Sequence, residues 1–122
     1  MPNRIKNSIL EKLGGKIQMK TFYGGTYIGK EILEENDIYH PIRLEYYKME
    51  TEKESELFYG IEVIKTEYKK EKTEVESNVV ENVTMEEEEI LEILDKFKEG
   101  TVMPSLLEEM VEEELKNQKS YA

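Results

Sequence analysis

The stretch FYGGTYIGKE, residues 22–31, sets Gly24, four residues, Gly29 and Lys30 in line, which is the spacing of a loop that cradles nucleotide phosphates with its backbone N–H groups. That chemistry also needs a Ser or Thr after the lysine to hold magnesium. This chain has Glu31 there, whose charge repels phosphate. Tyr23, Tyr27 and Ile28 inside the stretch read as a strand, so the spacing predicts a bulge or hairpin at Gly24 and Gly25 and no bound nucleotide. His40 is the single histidine and precedes Pro41, a context that predicts an extended entry into a strand. As a general base it needs an oriented acid and a nucleophile, and spacing identifies neither, so a structural or surface role is expected. Carboxylates crowd at Glu86 to Glu89 and at Glu108, Glu109, Glu112, Glu113 and Glu114. No segment has the alternating oxygen ligands and central glycine of a calcium loop, so they read as solvated helix faces, with no metal and no cofactor expected.

The elements that must position these residues come from a chain of 122 residues, enough for one domain with a modest core. With 38% hydrophobic and 37% charged residues, much of that domain is surface. The net charge of -11 disfavours direct binding to nucleic acid or anionic lipid. The absence of cysteine excludes disulfides, thiolate metal sites and a cysteine nucleophile. No stretch approaches the roughly 20 apolar residues of a membrane span, and a cytoplasmic protein is the expectation. Charge is unevenly spread. Residues 1–30 carry Arg4, Lys6, Lys12, Lys16, Lys20 and Lys30 against Glu11, a basic arm ahead of an acidic body.

Within that arm, Ile5, Ile9, Leu10 and Leu13 fall on one helical face, with Gly14 and Gly15 as a stop, and predict a short N-terminal helix. From Ile17 the period becomes two. Strands are expected around Ile17–Tyr23, in HPIRLEYYKM, in LFYGIEVIKTEY, where Gly60 marks a bulge or close backbone approach, and in EVESNVVENV. The connections ETEKESE and KKEKTE lack a tight glycine turn and predict loops of several residues. Thr84 with Glu87 resembles a capping box opening a helix with Ile90, Ile93, Leu94 and Phe97 inward and Gly100 as its stop. Pro104 or Ser105 opens a second helix, with Leu106, Leu107, Met110, Val111 and Leu115 apolar. The expected fold is α+β: a four-stranded antiparallel meander, two C-terminal helices packed on one face, and the short N-terminal helix. Its organisation is a basic helical arm over 1–16, one domain over 17–116 and a frayed tail over 117–122.

One sheet face is left over. Tyr47, Met49, Phe58, Ile64 and Tyr68 point away from the helix-facing set and form an apolar surface that something should cover. Tyr47, Phe58 and Tyr68 are the expected contact residues for a protein partner or a second copy of the chain, aided by Arg4, Lys6 and Lys12 of the arm. Two other classes stay open. The acidic helices could imitate a nucleic-acid backbone for a basic partner protein, or His40 could serve a small enzyme.

The residues Tyr59, Gly60 and Ile61, then Val79 and Glu81, then Thr101, Val102 and Pro104 occur in an order and spacing that resembles a family of small uncharacterised proteins from clostridia and related Firmicutes. The similarity spans about residues 18–115. It implies a bacterial cytoplasmic protein, is compatible with regulation of sporulation or stress, and brings no catalytic residues. The expectation is a non-enzymatic interaction or regulatory module.

Overall fold

The computed structural model describes residues 8–13, 16–29 and 40–119. They form β1 (Ser8–Leu13), β2 (Lys16–Ile28), β3 (Ile42–Lys53), β4 (Glu56–Tyr68), β5 (Thr73–Thr84), α1 (Glu87–Glu99) and α2 (Leu107–Lys119), with a 3-10 turn at Pro104–Leu106 leading into α2. The strands make one sheet in the order β1-β2-β3-β4-β5, and every neighbouring pair is antiparallel. The α+β meander with two C-terminal helices is therefore present, with one strand more than expected.

The extra strand lies where a helix was expected. Ser8–Leu13 pairs with β2 from Ser8 opposite Thr21 to Leu13 opposite Lys16, while Ile5 lies outside the described residues. Only Gly14 and Gly15 stand between the paired ends, and Gly-Gly in a two-residue connection is a strong hairpin signal. A strand laid on an existing sheet edge also has its backbone hydrogen bonds supplied by that edge. A helix of this length has to nucleate alone.

Alternation along β3 and β4 sends Ile42, Leu44 and Tyr46, and Tyr59, Ile61 and Val63, to one side, where all six are buried. On them α1 lays Ile90, Ile93, Leu94 and Phe97, spaced as one helical stripe, each at most 1% exposed. Val102, Leu107 and Val111 complete this core, whereas Leu106, expected on the apolar face of the second helix, is 47% exposed. Tyr46 is wholly buried, and its hydroxyl donates to the Val102 carbonyl at 3.0 Å, fastening the sheet to the connection between the helices. Burial raises the pKa of that phenol, so it remains a donor.

Several local signals act differently from expectation. Thr84 does not close a capping box: its hydroxyl accepts from the Glu86 N–H at 3.1 Å in the turn before α1, and Glu86 occupies the cap position without a side-chain cap bond. At the other end of α1 the left-handed residue is Thr101, at φ 49°, not Gly100 at φ -83°. The β3–β4 connection closes in two residues, Glu54 and Ser55, both left-handed at φ 53° and 67°. Two left-handed residues match the twist of a tight hairpin, and a turn lacking glycine or asparagine adopts them at a conformational cost.

Gly60 does act as the sequence predicts. The β4–β5 register shifts between Tyr59 and Ile61, and a Cβ at Gly60 would sit 2.4 Å from the Val80 carbonyl oxygen and 2.9 Å from the Glu81 Cα. A second register shift falls between Phe22 and Gly24, so the FYGGTYIGKE stretch contains a bulge within β2 through Ile28 and not a phosphate loop.

Opposite effects are expected from two single-atom-scale changes. Gly60→Ala should cost about 2–3 kcal/mol, because neither backbone atom it meets can swing aside. Ser55→Gly should gain about 1 kcal/mol by relieving a left-handed residue. Urea midpoints at unchanged slope measure both, and a neutral Gly60→Ala variant would contradict the close approach.

Candidate functional site

The two sheet faces differ in how they are finished. On the helix side the apolar core is edged by ion pairs. Lys48 holds Glu50 at 3.0 Å and Glu87 of α1 at 2.6 Å, and Lys65 holds Glu67 at 3.0 Å and Glu76 at 3.3 Å. Burial lowers the Lys48 pKa, but its two carboxylates outweigh that and leave it raised. Tyr23 reaches from β2 to Asp95 of α1 at 2.5 Å, and that bond, followed by burial, pushes its phenol up to about 12. His40 stands at the entry to β3 with Nε2 2.5 Å from Glu67 Oε2. The histidine thus has an oriented acid.

No helix lies on the other face among the described residues. The register sets Arg43 opposite Thr66, Glu45 opposite Ile64, Tyr47 opposite Glu62, Met49 opposite Gly60 and Thr51 opposite Phe58. Tyr47, Met49, Phe58 and Ile64 are half-buried there, and Tyr68 is exposed. The expected contact residues Tyr47, Phe58 and Tyr68 therefore lie outside the buried core cluster, as the alternation required.

Tyr47 is held in place by its neighbours. Phe22 packs edge-on at 5.6 Å between ring centres, and the Lys20 ammonium lies 4.5 Å above the ring while pairing with Glu62 at 2.9 Å. The Tyr47 hydroxyl donates to Glu45 at 3.0 Å, and burial, then Glu45, pushes its pKa up to about 12. Near the far end of the face Gln18 and Thr51 are buried, and the Gln18 amide donates to Thr51 Oγ1 at 3.4 Å and to Glu81. In the sheet order, β3 and β4 separate Gln18 from Glu81. At the usual strand spacing that is about 14 Å in a flat sheet, so the contact requires the sheet to curl over this face. The bare Gly60 backbone makes room for it.

The other end of the face opens into a groove of about 650 Å³ lined by Phe22, Gly25, Thr26, Tyr27, Pro41, Arg43 and Tyr68. His40, one residue from Pro41, is not among its lining residues. The structure thus separates places that the sequence could not: Tyr47 on the middle of the face, Phe58 beside Thr51 toward its curled end, and Tyr68 at the groove. Phe22, Arg43 and Gln18 were missed as members of this face, although the parity of β2 and β3 carries the signal. Of the basic residues expected to aid docking, Arg4 and Lys6 lie outside the described residues, and Lys12 falls on β1 opposite Ile17. Among the described residues no group of three acidic or histidine side chains is placed to hold a metal, and no helix is long and apolar enough to cross a membrane.

The geometry defines a small α+β protein whose described residues cover one sheet face with helices and leave the other without one. Residues 27–117 match the model of a family of unknown function, DUF6514, and the chain belongs to that family. No curated protein and no solved structure matches it.

The His40, Glu67 and Lys65 cluster sets a pH dependence. Burial raises the Glu67 pKa, but hydrogen bonds from His40 and Lys65 outweigh it and hold the carboxyl below its usual value. A group whose pKa is lower in the folded than in the unfolded chain contributes stability above its unfolded value and loses it as pH falls through the folded one. Glu67→Gln should therefore be destabilising near neutral pH, with its difference from wild type closing as pH falls through and below the usual carboxylate range. Urea denaturation at stepped pH measures this, and a constant difference across that window would contradict it.

Proposed function

We propose that this chain is a non-enzymatic protein-interaction module that docks a partner protein on the helix-free sheet face. The observation that carries the reading is the row of half-buried apolar side chains, Tyr47, Met49, Phe58 and Ile64, on a face that no helix among the described residues covers. Docking there would complete the burial the helices provide on the opposite side, at about 25 cal/mol per Å² of apolar area. Lys20, Glu62 and Glu45 around Tyr47 supply paired charges that a partner has to match, which sets orientation more than affinity. Regulation of sporulation or stress in a cytoplasmic Firmicute protein, implied by the sequence resemblance, is the setting we propose for it.

A second reading, a small enzyme, is favoured by one observation, the Glu67 carboxylate 2.5 Å from His40 Nε2. That pair could orient an imidazole for proton transfer. It lies off the groove lining, so the docking reading takes precedence.

The test is capture of partners by the tagged full-length chain from lysate of its source organism, beside the Tyr47→Ala, Phe58→Ala double variant and a Phe58→Lys single variant, each checked for folding by circular dichroism. Proteins retained by wild type should be lost from any folded variant. The same proteins retained by a folded variant would refute docking on this face.

A further inference from the structure

The groove at the end of the helix-free face brings three aromatic residues and one arginine together. Tyr27 of β2 lies one residue before Ile28, the last of the strand, and stands directly opposite Arg43 of β3. Pro41 precedes β3, and Tyr68 ends β4, its N–H donating to the Pro41 carbonyl at 3.0 Å. Phe22 and Gly25 form the inner wall. A Cβ at Gly25 would lie 3.0 Å from the Leu44 carbonyl oxygen and 3.6 Å from the Phe22 ring, so glycine keeps the space beside that ring clear. Three aromatic rings thus border one cavity, two of them on residues well exposed to solvent, Tyr27 at 63% and Tyr68 at 39%.

Arg43 is the cation in that wall. Lys20, Lys48, Lys65, Lys69, Lys72 and Lys96 each hold a carboxylate within 3.1 Å, whereas Arg43, like Lys53, Lys70 and Lys98, makes no ion pair among the described residues. Arg43 lines the groove beside the three aromatic residues, and no carboxylate among the described residues pairs with it. A guanidinium offers a planar, two-pronged donor set that matches a carboxylate. A single such group within a field of net charge -11 suits a monoanion and disfavours di- and polyphosphates. The volume, about 650 Å³, is in the range of sites for small organic ligands.

We propose that this groove is a binding site for a small aromatic carboxylate, its ring against Phe22, Tyr27 and Tyr68 and its carboxylate on Arg43. The ring supplies contact area that rigid aromatic walls gain at little entropic cost. The carboxylate fixes its direction. Protein docking centred on Tyr47 and Phe58 is a separate property, and either can hold without the other.

The experiment is titration of the full-length isotope-labelled chain, followed by amide chemical shifts, with indoleacetate, its neutral amide and acetate. Indoleacetate should give saturable shifts at Gly25, Tyr27, Arg43 and Tyr68. The neutral amide should bind at least about tenfold more weakly, as should indoleacetate to Arg43→Gln, and acetate should give no saturable shifts at these positions. Because the amide and acetate arms use wild-type protein, the anion requirement is decided even where the Arg43→Gln variant does not fold. No saturable shift with indoleacetate up to about 10 mM, saturable shifts confined to other positions, or equal binding of the acid and the amide would overturn the proposal.

Discussion

Among the described residues two helices cover one face of a five-stranded sheet and leave the other without a helix, and most of the structure follows from that constraint. A sheet is stable when at least one face is buried, and here that burial is concentrated on β3 and β4, each of which has a strand on both sides. There α1 and the start of α2 set Ile90, Ile93, Leu94, Phe97 and Leu107 onto Leu44, Tyr46, Ile61 and Val63, all at most 1% exposed. The Tyr46 hydroxyl then anchors the connection between the helices to the same layer. Among the described residues, the other face is stabilised without a second helical layer.

That face is stabilised by side-chain ties across the strands. Lys20 stacks on Tyr47 and pairs with Glu62, Phe22 leans edge-on against the same ring, and Gln18 links Thr51 to Glu81. The last of these exists because Gly60 lets the β5 bulge come down on the sheet, closing one end by curvature. The opposite end stays open, and there the rings of Phe22, Tyr27 and Tyr68 line a groove with Arg43. One face therefore has a polar, curled end, an apolar middle and an aromatic end, which is why docking and ligand binding can be assigned to different parts of it.

Much of this was legible in the residues. The period of two in β3 and β4 and the helical stripe from Ile90 to Phe97 reported the core directly, because burial dictates those patterns. Gly60 was legible because a glycine inside a strand needs a packing reason. What failed was local. Ile5, Ile9, Leu10 and Leu13 mimic a helical face, but a short amphipathic run carries no information about an adjacent sheet edge, and the edge wins. The turn at Glu54 and Ser55 and the left-handed Thr101 were hidden because tertiary pairing forces conformations that their side chains do not prefer. The groove was harder still. Phe22, Pro41, Arg43 and Tyr68 come from three parts of the chain, and only the register brings them together.

Within a single copy of the chain, the two faces of this sheet differ in access to solvent. Methyl relaxation by a soluble paramagnetic agent, measured on dilute full-length protein, tests it most directly. The account predicts strong relaxation of the Met49 and Ile64 methyls on the helix-free face and little at Ile61, Ile93 and Leu94 beneath the helices. Equal protection of both sets would mean that the chain covers both faces itself, and would contradict a face left open for a partner.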